Sequence, residues 1–296
     1  MIPITRTKEG TISGEAIRYS ILDPAGNITA LVESPVPADK RKAAADALMR
    51  LHPEVEQVGF VRFPGSSSDP DLPELCMAGG EFCGNASLCT AVLYFLDHET
   101  EAGIGSVSLR LRVSGASRPV RIEVHREEDC FLACIGHPPA QSVREQEFTF
   151  GDLRGVLPVV TLEGITHLII RSGSPFFFLR ENAADAELAL RTWCSMLSAD
   201  GLGLIFLGEE GEGLSLTPFV WIPGSGTFFR ENSCASGSAA AAIYLAGLAS
   251  GPVSLTFREP GGNILAESDP GGESVRLSVR VRLCLRSVMD TGRDLY

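Results

Sequence analysis

Lysine is scarce in this chain: there are three in 296 residues, Lys8, Lys40 and Lys42, all near the N-terminus. A pyridoxal-phosphate enzyme needs a lysine to hold its cofactor as a Schiff base. Lys40 and Lys42 fall in the polar run Asp39-Lys40-Arg41-Lys42, which reads as a solvated helix start, and Lys8 lies in a polar opening segment. None has the surroundings of a cofactor site, so no cofactor is expected. Long apolar runs are missing as well. Stretches such as Ala239–Ala249 fall far short of the ~20 residues that a membrane span requires. The opening Met1-Ile2-Pro3-Ile4-Thr5-Arg6 lacks the apolar core of a signal peptide, so a cytoplasmic location is expected. Positive charge is in deficit, 25 Lys+Arg against 37 Asp+Glu, for a net charge of −12. Such a surface repels phosphate backbones and anionic lipid, which argues against nucleic acid and membrane partners. The expected partner is a small molecule, and a homodimer is compatible with the sequence.

Cys-x-x-Cys pairs are also absent, so neither a zinc ribbon nor a thioredoxin-like motif is supported, and no metal site is expected. Eight cysteines remain, at 76, 83, 89, 130, 134, 194, 234 and 284. In a reducing compartment most behave as small buried hydrophobes. Cys130 and Cys134 lie at and within a strand-like run, Phe131–Ile135, and are expected in the core. Cys89, six residues into the helix after Cys83, is expected there too.

What is present is a globular alternation of α and β, long enough for two domains. Strand-like runs Ile17–Leu22 and Ile28–Val32 flank a turn at Asp23–Asn27. An Ala-rich helix follows at Ala38–Leu51, then a strand at Gln57–Arg62 and a polar loop at Gly65–Pro73. A helix at about Asn85–Leu96 precedes strands at Val107–Val113, Val120–His125 and Phe131–Ile135. The second half repeats this order. Strands at Val156–Leu162 and His167–Ile170 lead to a helix at Ala184–Leu197, then strands at Leu204–Leu207 and Leu214–Trp221 to a helix at Ser236–Leu248. Strands at Val253–Phe257, Ile264–Ala266 and Val275–Leu285 close the chain.

Two motifs in these halves look like copies. Glu81-Phe82-Cys83-Gly84-Asn85-Ala86-Ser87 opens one apolar helix, and Glu231-Asn232-Ser233-Cys234-Ala235-Ser236-Gly237-Ser238 opens another, about 150 residues later. A cysteine at a helix start sits among unpaired N–H groups at the positive end of the dipole, which favours thiolate. Small residues behind it let backbone amides approach an anion. A carboxylate could bind between two such starts while the thiols face its α-carbon from opposite sides, one removing a proton and the other returning one. Racemisation requires that arrangement.

These motifs resemble those of the diaminopimelate epimerase family, here as Cys83-Gly84-Asn85-Ala86-Ser87-Leu88-Cys89 and Ser233-Cys234-Ala235-Ser236-Gly237. Gly26-Asn27 is similar to that family's substrate-contacting Gly-Asn turn, and Gly164-Ile165-Thr166-His167 to its Gly-Asn-Pro-His segment. A narrower resemblance, carried by Met77–Ala86, Glu231–Cys234 and Pro260–Leu265, is to the histidine racemases of staphylopine-type metallophore pathways. Because both cysteines are present, the related dehydratases, in which one is replaced, fit less well. The resemblance implies an α/β (α+β) fold of two similar domains, each a curved mixed sheet around a central helix, with the site between them. The expected division is 1–143 and 144–285, with 286–296 returning to the first domain. Cys83 and Cys234 are the expected catalytic pair. Asn27, Glu81, Gly84, Asn85, His167, Glu231, Ala235 and Ser236 are the expected substrate contacts, and Pro260–Asn263 is expected as a turn.

The epimerases hold their substrate's far zwitterion with the asparagine of Gly-Asn-Pro-His and a Glu-Arg pair; here those positions are Ile165, Gly226 and Ser225. The expected function is therefore cofactor-independent racemisation of an amino acid with one zwitterion, histidine by the closer resemblance. Diaminopimelate epimerase or racemase of another amino acid is the alternative, and a thiol-redox or metal-binding protein the remote one.

Overall fold

The computed structural model describes residues 16–64, 72–98, 105–210, 213–224 and 226–290. Lys8, most of the expected Gly65–Pro73 loop, Ser225 and the last residues of the 286–296 segment lie outside them.

In the first half, β1 (Ala16–Pro24), β2 (Thr29–Val32), β3 (Gln57–Arg62), β4 (Glu74–Met77), β5 (Ser106–Val113), β6 (Val120–Arg126) and β7 (Phe131–His137) pair in sequence order. The long β16 (Val275–Asp290) then joins β7 on one side and β1 on the other, closing a barrel. Helix α2 (Gly84–His98) runs through it and touches every strand of the ring. Its sequence explains this position: Leu88, Cys89, Ala91, Val92, Leu93 and Phe95 are buried on all sides, leaving no polar face for solvent. Fully burying each large side chain contributes roughly 1.5–3 kcal/mol. Helix α1 (Arg41–Leu51), entered through a single 3-10 turn at Ala38–Lys40, lies outside against β3.

The second half is a curved sheet ordered β16, β15 (Gly262–Ser268), β14 (Val253–Glu259), β12 (Gly213–Ile222), β11 (Leu202–Glu210), β10 (Ile165–Arg171), β9 (Leu153–Leu162) and β8 (Ser142–Phe150), with β13 (Thr227–Arg230) beside β12. It wraps helix α4 (Ala235–Ala249), whose alanines 239–242 are fully buried. Helix α3 (Ala183–Leu197) packs outside on β11 and β12 through Trp193 and Leu190. The sheet mixes parallel pairs, such as β10 with β11, and antiparallel ones.

Two curved mixed sheets each surround one apolar helix, as expected, but they form a single continuous sheet through β16. Residues 281–290 of β16 pair with β1, and residues 275–281 with β7. Cys134 and Cys89 are core residues. Cys130 is not: it sits half-buried in the turn before β7, its thiol 3.2 Å from Glu127. No described helix is long and apolar enough to cross a membrane.

Candidate active site

The two central helices begin side by side. A methyl group built at Gly84 would stand 2.8 Å from the Cβ of Ala235, so glycine at the first position of α2 is what lets the helix starts meet. Cys83 and Cys234 immediately precede these positions, and each thiol takes the same role. The Sγ of Cys83 accepts the Ala86 N–H at 3.4 Å, and that of Cys234 accepts the Gly237 N–H at 3.4 Å. Each cysteine is thus the N-cap of its helix, three residues before the amide it satisfies.

Both thiols line one cavity of about 50 Å³. Of the residues expected to contact substrate, Asn27, Glu81, Gly84, Asn85, Glu231, Ala235 and Ser236 also line it. His167 does not. It is fully buried on β10 behind the wall, its Nε2 2.9 Å from Ser236 Oγ, which in turn lies 3.5 Å from Cys234 Sγ. Gly203 of β11 leaves room for the ring by lacking a side chain, and Nδ1 has no partner among the described residues. Burial lowers the His167 pKa to about 3, so this imidazole is neutral and reaches the site only through Ser236. Pro260 and Gly261 form the turn between β14 and β15, packed against Gly26, whose φ of 93° suits glycine.

Sequence reasoning missed Glu56, Gln57 and Glu259. The Oε1 of Gln57 accepts the Cys83 S–H at 3.0 Å, while its Nε2 donates to Thr29 Oγ1 at 2.8 Å and to Asn27 Oδ1. Those two acceptors fix the orientation of the amide. Glu56 accepts from Asn27 Nδ2 at 2.8 Å and from the side chain of Asn232, joining the halves. The one signal for this pair was a polar Glu-Gln step entering an otherwise apolar strand.

The site is rich in buried acids. Burial raises the pKa of Glu81 and Glu56, and lifts Glu231 to about 8, with the charges of Glu56 and Glu81 adding to the last. Burial also pushes the Cys83 thiol up to about 12, against the pull of the Ala86 N–H. Cys234 is held well above its ordinary value by burial, then by the carboxyls of Glu231 and Glu259. Burial thus opposes the preference for thiolate that the helix starts were expected to confer on both cysteines. A second cavity of about 120 Å³ shares Gln57, Glu81, Val220, Ile222 and Glu231 with the first and extends past Glu56 to Phe229. Among the described residues, no group of three His, Cys, Asp or Glu side chains could hold a metal ion.

Two lobes each bring a thiol on a helix start to one small cavity, and the chain is an isomerase of the racemase and epimerase kind. A probable proline racemase from Agrobacterium radiobacter has the same fold, with a TM-score of 0.66 at 14% identity over 92% of each chain. The chain belongs to the histidine racemase family, matching its domain, described as "Histidine racemase CntK N-terminal domain", over residues 16–283. It is 30% identical to a histidine racemase of Fusobacterium nucleatum over 78% of this chain and 81% of that one. It is 26% identical to a histidine racemase of Staphylococcus aureus over 86% of this chain and 89% of that one.

Proposed function

We propose that the chain interconverts L- and D-histidine by two proton transfers at the substrate α-carbon, one onto and one from the opposed thiols of Cys83 and Cys234. The observation that carries this reading is the pair of N-cap thiols lining a single small cavity. The substrate carboxylate fits against the N–H groups of Gly84, Asn85, Ala235 and Ser236, for which neither helix supplies an acceptor. Its ammonium group faces Glu81 and Glu231, and that positive charge opposes the repulsion that keeps both thiols protonated.

In one direction a thiolate takes the α-proton and becomes a thiol, the electron pair passes into the carboxylate, and the opposite thiol gives its proton to the other face. The reverse direction exchanges the roles. Positioned acid/base catalysis supplies about 10²–10⁴-fold, and each donor to the developing oxyanion about 3–4 kcal/mol more.

The side chain extends into the adjoining space, which shares Gln57, Glu81, Val220, Ile222 and Glu231 with the reaction cavity. There Val220, Ile222 and Phe229 offer apolar contact, and the carboxyls of Glu56, Glu81 and Glu231 offer acceptors for imidazole N–H groups. Ile165 lines the reaction cavity at the position where the diaminopimelate epimerases carry the asparagine that holds their substrate's far end, which disfavours diaminopimelate.

The test is proton NMR in D₂O over a panel of L-amino acids, with chiral chromatography of the products. L-histidine should lose its α-hydrogen signal and appear as the D-enantiomer, equally with and without EDTA, while LL-diaminopimelate is left unchanged. A higher kcat/KM for diaminopimelate would overturn the substrate, and activity that disappears with chelator would overturn the mechanism.

A further inference from the structure

Glu259 is a buried acid, 4% exposed, on the inward beat of an alternating strand that it shares with Leu255 and Phe257. Its Oε2 accepts the backbone N–H of Cys234 at 2.7 Å, and its Oε1 accepts the hydroxyl of Ser238 at 2.5 Å. The carboxylate therefore spans the first turn of α4 from behind, outside the cavity, and bonds the main chain of the cysteine itself. The matched start of α2 differs here: the side chain bonded to Cys83 is the neutral amide of Gln57. Two helix starts that agree in cap geometry thus differ by one buried charge.

We propose that Glu259 is a positioning residue of the reaction, fixing the Cys234 main chain and, as an anion, making Cys234 hold its proton to higher pH. This rests on the two-thiol reading given above. Two hydrogen bonds and the positive end of α4 favour the ionised carboxylate, although burial lifts its pKa to about 8. The titratable groups facing it are the Cys234 thiol, from the start of α4, and the Glu231 carboxyl, from the β13–α4 loop. Both are acidic, so each ionisation discourages the others. An unpaired negative charge beside a thiol raises its pKa. The device therefore sets a pH window in which one thiol of the pair stays protonated while the other acts as base.

Glu259→Gln separates charge from geometry. A glutamine can accept the Cys234 N–H with its oxygen and donate to Ser238 with its nitrogen, keeping the shape. Enantiomers have equal free energy, so kcat/KM is the same in both directions and one pH profile suffices. The two apparent pKa values of that profile should together fall by about one pH unit in the variant, the limb governed by Cys234 moving most. A residue that only supports the fold would lower the plateau and leave the limbs in place, and superimposable limbs overturn the proposal. Ser238→Ala, which removes one bond favouring the anion, should move the limbs the same way by less; unmoved limbs there also overturn it, whether or not Glu259→Gln folds. Carbamidomethylation of Cys234, followed by peptide mass spectrometry at pH 8, gives a second readout. It should be several-fold faster in Glu259→Gln, and an unchanged rate counts against the proposal even if the chain racemises nothing and the two-thiol reading has failed.

Discussion

Asn85 Nδ2 donates to the carbonyl of Ser233 at 3.1 Å and lies 3.3 Å from its hydroxyl, across 148 residues of sequence. One side chain in the first turn of α2 thereby grips the residue before Cys234. Ser233 is held in turn, its hydroxyl donating to the Pro24 carbonyl at 3.0 Å. The relative position of the two thiols depends on this bridge. Asn85→Ala should lower kcat by about 10²-fold with little change in helix content, since small misplacements of reacting groups cost that much. Steady-state kinetics beside far-UV circular dichroism check it, and unchanged kcat would show that the bridge is dispensable.

Gly84 gives the same dependence from the opposite side. In Gly84→Ala the new methyl meets the Ala235 Cβ, an atom that has no rotamer to yield. The helix starts must separate by several tenths of an ångström. A loss in kcat of about 10-fold or more is expected, with a fall in Tm of a few degrees. A variant as active as the parent would mean that the starts part without consequence.

Cys83→Ser and Cys234→Ser should each abolish net racemisation, because a serine hydroxyl is far too weak an acid to stand in for a thiol. Each variant should still exchange the α-proton of one enantiomer with solvent through the remaining cysteine, visible in D₂O by NMR. The two variants should choose opposite enantiomers. If both exchange the same one, the thiols do not lie on opposite faces of the substrate.

Stability should peak on the slightly acidic side of neutrality. The folded chain keeps protons on Glu231 and Glu259 up to about pH 8, whereas unfolding lets them go above 4.5, so stability declines as pH rises between those values. His137 and His167, lowered by burial to about 4 and 3, refuse protons that the unfolded chain binds below 6.5. Stability is therefore also lost as pH falls below that value. Thermal melts from pH 4 to 9 should show both declines, and Glu259→Gln should flatten the alkaline one. An alkaline decline of equal slope in the variant would mean that Glu259 is not protonated in the fold.

The helices and the cysteine pair were legible in the sequence because their signals are local. The largely apolar run Leu88–Phe95 read as a buried helix because small polar residues start it. Strand β8 was not legible: Val143, Arg144, Glu145 and Glu147 are exposed on an edge strand whose one partner is β9, so no apolar beat marks it. The return of the last segment to the first domain was expected only through the family resemblance, since pairing Ala16 with Asp290 leaves no trace in either segment alone. Gln57 and Glu56 escaped because their role is set by Cys83, Asn27 and Asn232, which the fold brings to them from elsewhere. Glu259 did carry a signal, a charge at an inward position of β14, but a pattern cannot say what such a charge touches.

Strand β16 contributes to both lobes at once, with its first residues between β7 and β15 and its last against β1. Neither lobe can melt without stripping hydrogen bonds from a strand on which the other depends. The chain should therefore unfold as one cooperative unit despite its two cores, with amides of β16 among the slowest to exchange in deuterium. A lesion there, such as proline at Val279, would be felt by both thiols together, however far it lies from either.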